Sequence, residues 1–169
     1  MDQSLQVVIE MNELILSRLK HDLQDVTEEE ADWRPLPQAN SINLILRHLL
    51  IEAYEHLARI DPGAPRAAHP GASISLDFER NLKDLEELYR AFLHALHQTT
   101  QADLHQLTVQ TYPATRPGRP SLTPHLLGYH QALHLAGHLG QISTIRNLFR
   151  KTRGEPARFF PENPNFPLD

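Results

Sequence analysis

A four-helix bundle is the all-α fold that the sequence predicts. Three observations carry it: four stretches with apolar residues at helical spacing, proline- and glycine-rich breaks between them, and no convincing strand alternation. The first stretch runs from about Ser4 to Leu23, where Leu5, Val8, Ile9, Met11, Leu14, Ile15, Leu19 and Leu23 mark a core-facing side. Thr27-Glu28-Glu29-Glu30 is a capping-box pattern and predicts a short extra helical turn, which Trp33-Arg34-Pro35-Leu36-Pro37 converts into an extended connection. The second helix starts after Asn40-Ser41, carries Ile42, Leu44, Ile45, Leu49, Ile51, Leu57 and Ile60, and stops at Asp61-Pro62-Gly63.

Residues 61–73 read as a surface loop because proline and glycine recur in them. The third helix is expected from Ser75 or Leu76 to Gln98, with Leu82, Leu85, Leu88, Phe92, Leu93 and Leu96 as its stripe. Thr108–Tyr112 has the branched and aromatic content of an extended piece, and Pro113, Pro117, Gly118 and Pro120 exclude a long helix around it. The fourth helix begins near Ser121, with Pro124 tolerated in the first turn, and continues to about Lys151 before Gly154. The tail, residues 154–169, is rich in proline and aromatic residues and is expected to lie across the bundle. One domain over residues 1–169 follows from the length and the even composition. The long connections leave the bundle topology open.

Charge and composition narrow the function classes. Sixteen basic residues are scattered among 21 acidic ones, a net charge of −5, so no basic stripe exists to follow phosphates and nucleic acid is not an expected partner. The chain has no cysteine, which leaves histidine and carboxylates to hold any ion. The N-terminus has no basic region followed by an apolar run, and no segment reaches the roughly eighteen apolar residues of a membrane span. The expectation is a cytoplasmic protein without a membrane partner.

Chemistry concentrates in the last helix, where His130, His134 and His138 recur at every fourth residue. Residues at this spacing share a helix face about 6 Å apart along the axis, so two imidazoles can converge on one ion. Leu127, Gln131, Gln141, Ile145 and Leu148 continue that face, which is expected to look inward. His48 occupies a comparable place in the second helix, between Leu44 and Ile45 one turn before it and Ile51 and Glu52 one turn after. Three neutral imidazoles from two helices would cap one side of a divalent ion and leave positions open to water or substrate. Taken alone, His134 and His138 read first as a buried hydrogen-bonded pair and only second as a metal clamp. His130, in a supporting or surface place, stands outside the clamp, and His56, His94, His97, His105 and His125 are expected to be solvated or structural. Glu52 shares the face of His48 and is the best carboxylate for acid–base work or for orienting an imidazole. Trp33 is assigned to packing.

Trp33-Arg34-Pro35 before Asn40-Ser41-Ile42, His48-Leu49 in the second helix, and His134-x-x-x-His138-x-Gly140-Gln141-Ile142 with Arg146 in the last resemble the DinB-like family over essentially the whole chain. The resemblance implies a four-helix bundle, a homodimer, and a histidine triad of His48, His134 and His138 binding a divalent ion such as zinc or nickel. Gln141 would place an amide near the site, and Gly140 would let a neighbouring helix or side chain approach the backbone. Some similar proteins are thiol-dependent transferases, in which the ion activates a low-molecular-weight thiol, and others are hydrolase or isomerase relatives. A thiol-dependent transferase acting on a small-molecule substrate is the leading expectation. The competing one is a non-catalytic metal- or ligand-binding bundle of stress-response type.

Overall fold

The computed structural model describes residues 3–61, 63, 77–100, 103 and 122–156, and all its regular elements are helices. They are α1 (Gln3–Leu23), the short α2 (Glu28–Asp32), α3 (Ile42–Ile60), α4 (Phe78–Gln98) and α5 (Pro124–Thr152). The helix starts follow local chemistry. Thr27, Ser41, Asp77 and Thr123 each accept a hydrogen bond from the backbone N–H three residues on, satisfying a donor that the first helical turn leaves open. Pro124 then sits where its missing N–H is not needed. At α2 only half of the expected capping box forms, because the Glu30 carboxylate turns to Arg146 instead of back to Thr27. α4 proper begins at Phe78, behind its Asp77 cap, slightly later than the apolar pattern indicated. The expected extended piece at residues 108–112 and most of the tail lie outside the described residues.

Cross-helix contacts fix the topology. Asn12 on α1 donates to the Gly128 carbonyl near the start of α5, and Arg146 near the end of α5 reaches Asp22 near the end of α1, so these two helices run parallel. Asn81 donates to Asn43, one near each helix start, so α3 and α4 are also parallel. Lys20 of α1 pairs with Glu86 of α4 at 2.9 Å, late in one helix and midway in the other, as an antiparallel arrangement of the two pairs requires. The order is therefore up, down, down, up. α3 and α4 point the same way, so the two ends joined by the segment from Asp61 to Asp77 lie at opposite ends of the bundle. At about 1.5 Å rise per residue that distance is roughly 28 Å, well within the reach of such a segment.

The larger core cluster joins Leu16, Leu19 and Leu23 of α1 to Ile42, Leu46 and Leu49 of α3, Leu85 and Tyr89 of α4, and Leu135 and Ile142 of α5. A second cluster at the opposite end joins Leu5 and Ile9 to Leu57, Phe92 and Leu96. Each fully buried side chain of this size is worth about 1.5–3 kcal/mol, so the helices are held mainly by these faces. Trp33 is half-buried and packs edge-on against Phe149 at 5.6 Å, closing one end of the core. Arg146, 1% exposed, fastens the same end. Its Nε donates to Glu30 Oε1 at 2.6 Å and its Nη2 to Asp25 Oδ1 at 3.0 Å, while Nη1 donates to the Asp22 carbonyl. Among the described residues no helix is long and apolar enough to cross a membrane.

Candidate metal centre

α3 and α5 pass each other antiparallel, which brings residue 48 beside residues 134 and 138 and residue 56 beside residues 130 and 131. His48 Nε2 lies 2.9 Å from His134 Nε2, which lies 3.0 Å from His138 Nε2. One ring nitrogen from each residue falls within 4.8 Å of the other two, and all three side chains are half-buried. A neutral imidazole has one donor and one acceptor nitrogen, so His134 Nε2 cannot serve both neighbours as an ordinary hydrogen-bonding partner. A shared cation resolves the conflict by taking a lone pair from each. Nitrogens about 2.0–2.1 Å from one zinc-like ion stand about 2.9–3.4 Å apart for ligand angles between 90° and tetrahedral, and both observed separations fall in that range. The residues thus fit a divalent ion with further positions open.

The outer nitrogens differ. His138 Nδ1 meets Gln141 Oε1 at 2.9 Å, one turn along α5, which sets the ring so that Nε2 faces its neighbours. His134 Nδ1 is buried and has no hydrogen-bond partner among the described residues. Burial, and then the nearby His138 and His48, push His134 down from 6.5 to about 4, with Glu52 opposing the shift. The imidazole is accordingly neutral at physiological pH, the form in which it can donate a lone pair to a metal.

Behind the cluster runs a buried polar chain. Glu52, 4% exposed, stands with Oε2 3.9 Å from His56 Nε2. His56 Nδ1 donates to Gln131 Oε1, and Gln131 Nε2 donates to the Tyr89 hydroxyl. Burial lowers His56 to about 4, against the favourable Gln131 bond, and raises the Tyr89 phenol well above its usual range. His130 is exposed and spans the two groups, its ring stacked 5.8 Å from His134 and edge-on 5.0 Å from His56.

The structure brings the three sequence-selected histidines together and leaves His130 outside the cluster. His94 and His97 are exposed, and His105 lies outside the described residues. The expected inward face needs correction. Leu127, Gln131 and Ile145 are buried, but Gln141 is exposed and Leu148 is 40% exposed, because the histidines lie at the margin of the bundle. Gly140 is also corrected. A Cβ there, or at Gly137, would meet nothing within 4 Å, so neither glycine admits a neighbouring element. The close approach is at Gly128, where a Cβ would overlap Val8. Sequence reading missed the partnership of His56, Gln131 and Tyr89, which come from three helices and share no local spacing. The one available signal was His56 four residues after Glu52.

A sequence model of the DinB superfamily matches residues 13–142. The chain belongs to the DinB superfamily. The match runs from the middle of α1 to the histidine segment of α5, so this DinB protein carries all three clustered histidines inside the family region. A conserved protein from Enterococcus faecalis, known from a crystal structure, is similar in fold, with a TM-score of 0.63, 15% identity, and coverage of 88% of this chain and 97% of its own. No curated protein matches the sequence.

Proposed function

We propose that this DinB protein is a divalent-metal-dependent transferase that joins a low-molecular-weight thiol to an electrophilic small molecule, with His48, His134 and His138 as the metal ligands. The observation that carries the reading is the convergence of three imidazole nitrogens from two helices, half-buried, with no fourth protein ligand among the described residues. Closed four-ligand sites are structural, whereas three protein ligands with an open position belong to catalysis. Zinc or nickel suits imidazole ligands. When bound, such an ion supplies the Lewis acidity that keeps a coordinated thiol deprotonated at neutral pH.

The chain's own residues have separate tasks. His134 and His138 supply neutral nitrogens at one helical turn's separation, and His48 closes the angle from α3. Gln141 and His130 support the ligands, the first by its bond to the outer nitrogen of His138 and the second by stacking on His134. Glu52 lies one turn beyond His48, buried beside His56, and its charge favours protonation of both His56 and His134. We assign it to orienting the imidazoles before acid–base work. Transfer then balances simply: the thiolate sulfur forms a bond to the electrophilic carbon, and the leaving group departs with its electron pair.

A homodimer in the cytoplasm, where low-molecular-weight thiols stay reduced, belongs to the same proposal. The exposed Leu14 on α1 and Leu133 on α5 give apolar surface for such a contact, and light scattering measures the state. The deciding experiment is elemental analysis of protein purified without a histidine tag, followed by turnover with a thiol panel and an aryl halide. About one ion per chain and thiol-dependent turnover are expected, both lost in His138→Ala. Stoichiometric metal without turnover supports the second reading, a non-catalytic metal-binding bundle. That reading draws on the burial of Glu52, whose carboxylate stands beside His56 and not in solvent where it could meet a substrate.

A further inference from the structure

Beside the histidine cluster the surface opens into a groove of about 460 Å³ between α5 and the connection that follows α2. Pro35 and Ala39 stand on one side, Gly137 and Gly140 on the other, and the buried Ile45 and Ile145 line it between them. Its polar members are Asn40, Gln141 and Thr144, and no lining residue is charged. Gln141 also bonds His138, so the groove begins one hydrogen bond from the cluster. The volume suits one small molecule.

The two glycines have no structural cause. Each costs a helix interior about 1 kcal/mol relative to alanine. Neither has a positive φ, and neither faces a neighbour that a methyl group would strike. Their effect is open space: a side chain at either position would stand in the groove.

We propose that this groove holds the second substrate, an uncharged and mainly apolar electrophile whose reacting carbon lies toward His138, while the open side of the metal holds the thiol. The inference rests on the thiol-transfer reading for the name of the reaction, but the binding assignment can be tested without turnover. A charged ligand seated in this groove would lose water with no opposite charge among the lining residues in return, whereas an apolar ring is favoured by burial. Asn40, Gln141 and Thr144 can hydrogen-bond neutral polar groups at its edge. In transfer to an aryl halide, the carbon–sulfur bond forms as the carbon–halogen bond breaks, and the halide leaves with the bonding pair.

The test uses the full-length metal-loaded protein and 1,3-dinitrobenzene, an unreactive uncharged ring, with 3,5-dinitrobenzoate as its charged counterpart. Titration is followed by the amide resonances of Gly137 and Gly140 and by calorimetry. The neutral ring is expected to shift both glycine signals and to bind at least tenfold more tightly than the benzoate. Gly140→Leu is expected to weaken it at least tenfold with metal content unchanged, and Gly140→Ala provides a milder, well-folded second variant with a smaller loss. Equal binding of the two ligands, unshifted glycine signals, or undiminished binding by both variants overturns the assignment. Groove binding without thiol-dependent turnover retains the site and removes the transferase reading. Turnover whose KM for 1-chloro-2,4-dinitrobenzene is unmoved by Gly140→Leu removes the groove and retains the transferase.

Discussion

Two polar clusters in this bundle are built in opposite ways. At the Arg146 end, a buried guanidinium meets the Glu30 carboxylate through two nitrogens, the Asp25 carboxylate through a third contact, and a backbone carbonyl. Donors face acceptors, and opposite charges face each other. At the histidine cluster, like meets like: three imidazole nitrogens converge, and the most central residue keeps a buried Nδ1 with no partner among the described residues. A cluster that only supports the fold is complete within the chain, as Arg146 is. Three converging lone pairs are instead the arrangement that a shared cation requires. The distinction separates structural from functional polarity within a single helix, because Arg146, His134 and His138 all belong to α5.

The largest effect that can break this comparison is on stability. Arg146→Met leaves Glu30 buried without its cation, and removing one partner of a buried pair costs about 3–5 kcal/mol. His134→Ala in metal-free protein removes a side chain whose neighbours repel its charged form and is expected to cost much less. Urea denaturation of the two variants without metal measures both. A reversed order would place the structural anchor at the histidines and undo the contrast. Adding metal should then stabilise the parent and leave His134→Ala unchanged, since only a folded site that binds the ion gains from it.

What the sequence made legible follows the range of the interactions. The helix starts were readable at Thr27 and Ser41 because a cap reaches only three residues. His134 and His138 were readable as a pair because helical geometry alone sets their separation. Apart from the family resemblance, His48 was readable only as a residue of the right type on a core-facing helix, and the antiparallel approach of α3 and α5 brings it to 2.9 Å from His134. The chain from Glu52 through His56 and Gln131 to Tyr89 needs three helices in register, and no spacing along the sequence encodes that. α5 also hides its orientation. It packs against both α1 and α3, so buried positions such as Ala132, Leu135, Ser143 and Arg146 fall on more than one side of it.

His56 supplies the next effect, in acid. Its folded value of about 4 lies below its ordinary 6.5, so between these limits the unfolded chain binds more protons than the folded one. Stability from keeping His56 neutral is therefore complete above about pH 6.5 and is lost as pH falls toward 4, by about 3 kcal/mol in all. Denaturation of metal-free protein at pH 7.5 and pH 5 measures the loss. His134 contributes in the same direction, so the quantity that isolates His56 is the difference between the parent and His56→Gln, which keeps a polar group beside Gln131. A parent that instead gains stability relative to His56→Gln as pH falls from 7.5 to 5 would show that His56 is protonated in the fold and paired with Glu52. The buried chain would then resemble the Arg146 cluster.

The smallest effect separates the glycines, and here the sign decides more than the size. Gly128 lies where α5 crosses α1, and a Cβ would overlap the fully buried Val8 and stand 3.3 Å from Leu96 Cδ1. Gly128→Ala forces a β-branched, close-packed neighbour to move, at a cost of about 1–3 kcal/mol that outweighs the helical preference for alanine. Gly140 has only the preference to gain, so Gly140→Ala should stabilise by up to about 1 kcal/mol. Thermal unfolding of the two variants is expected to shift the midpoint in opposite directions. Stabilisation by both would mean that α1 and α5 have room to separate at Gly128, and destabilisation by both would mean that the space at Gly140 serves the fold. Opposite signs locate close packing at one end of α5 and open, ligand-accessible surface beside the histidines.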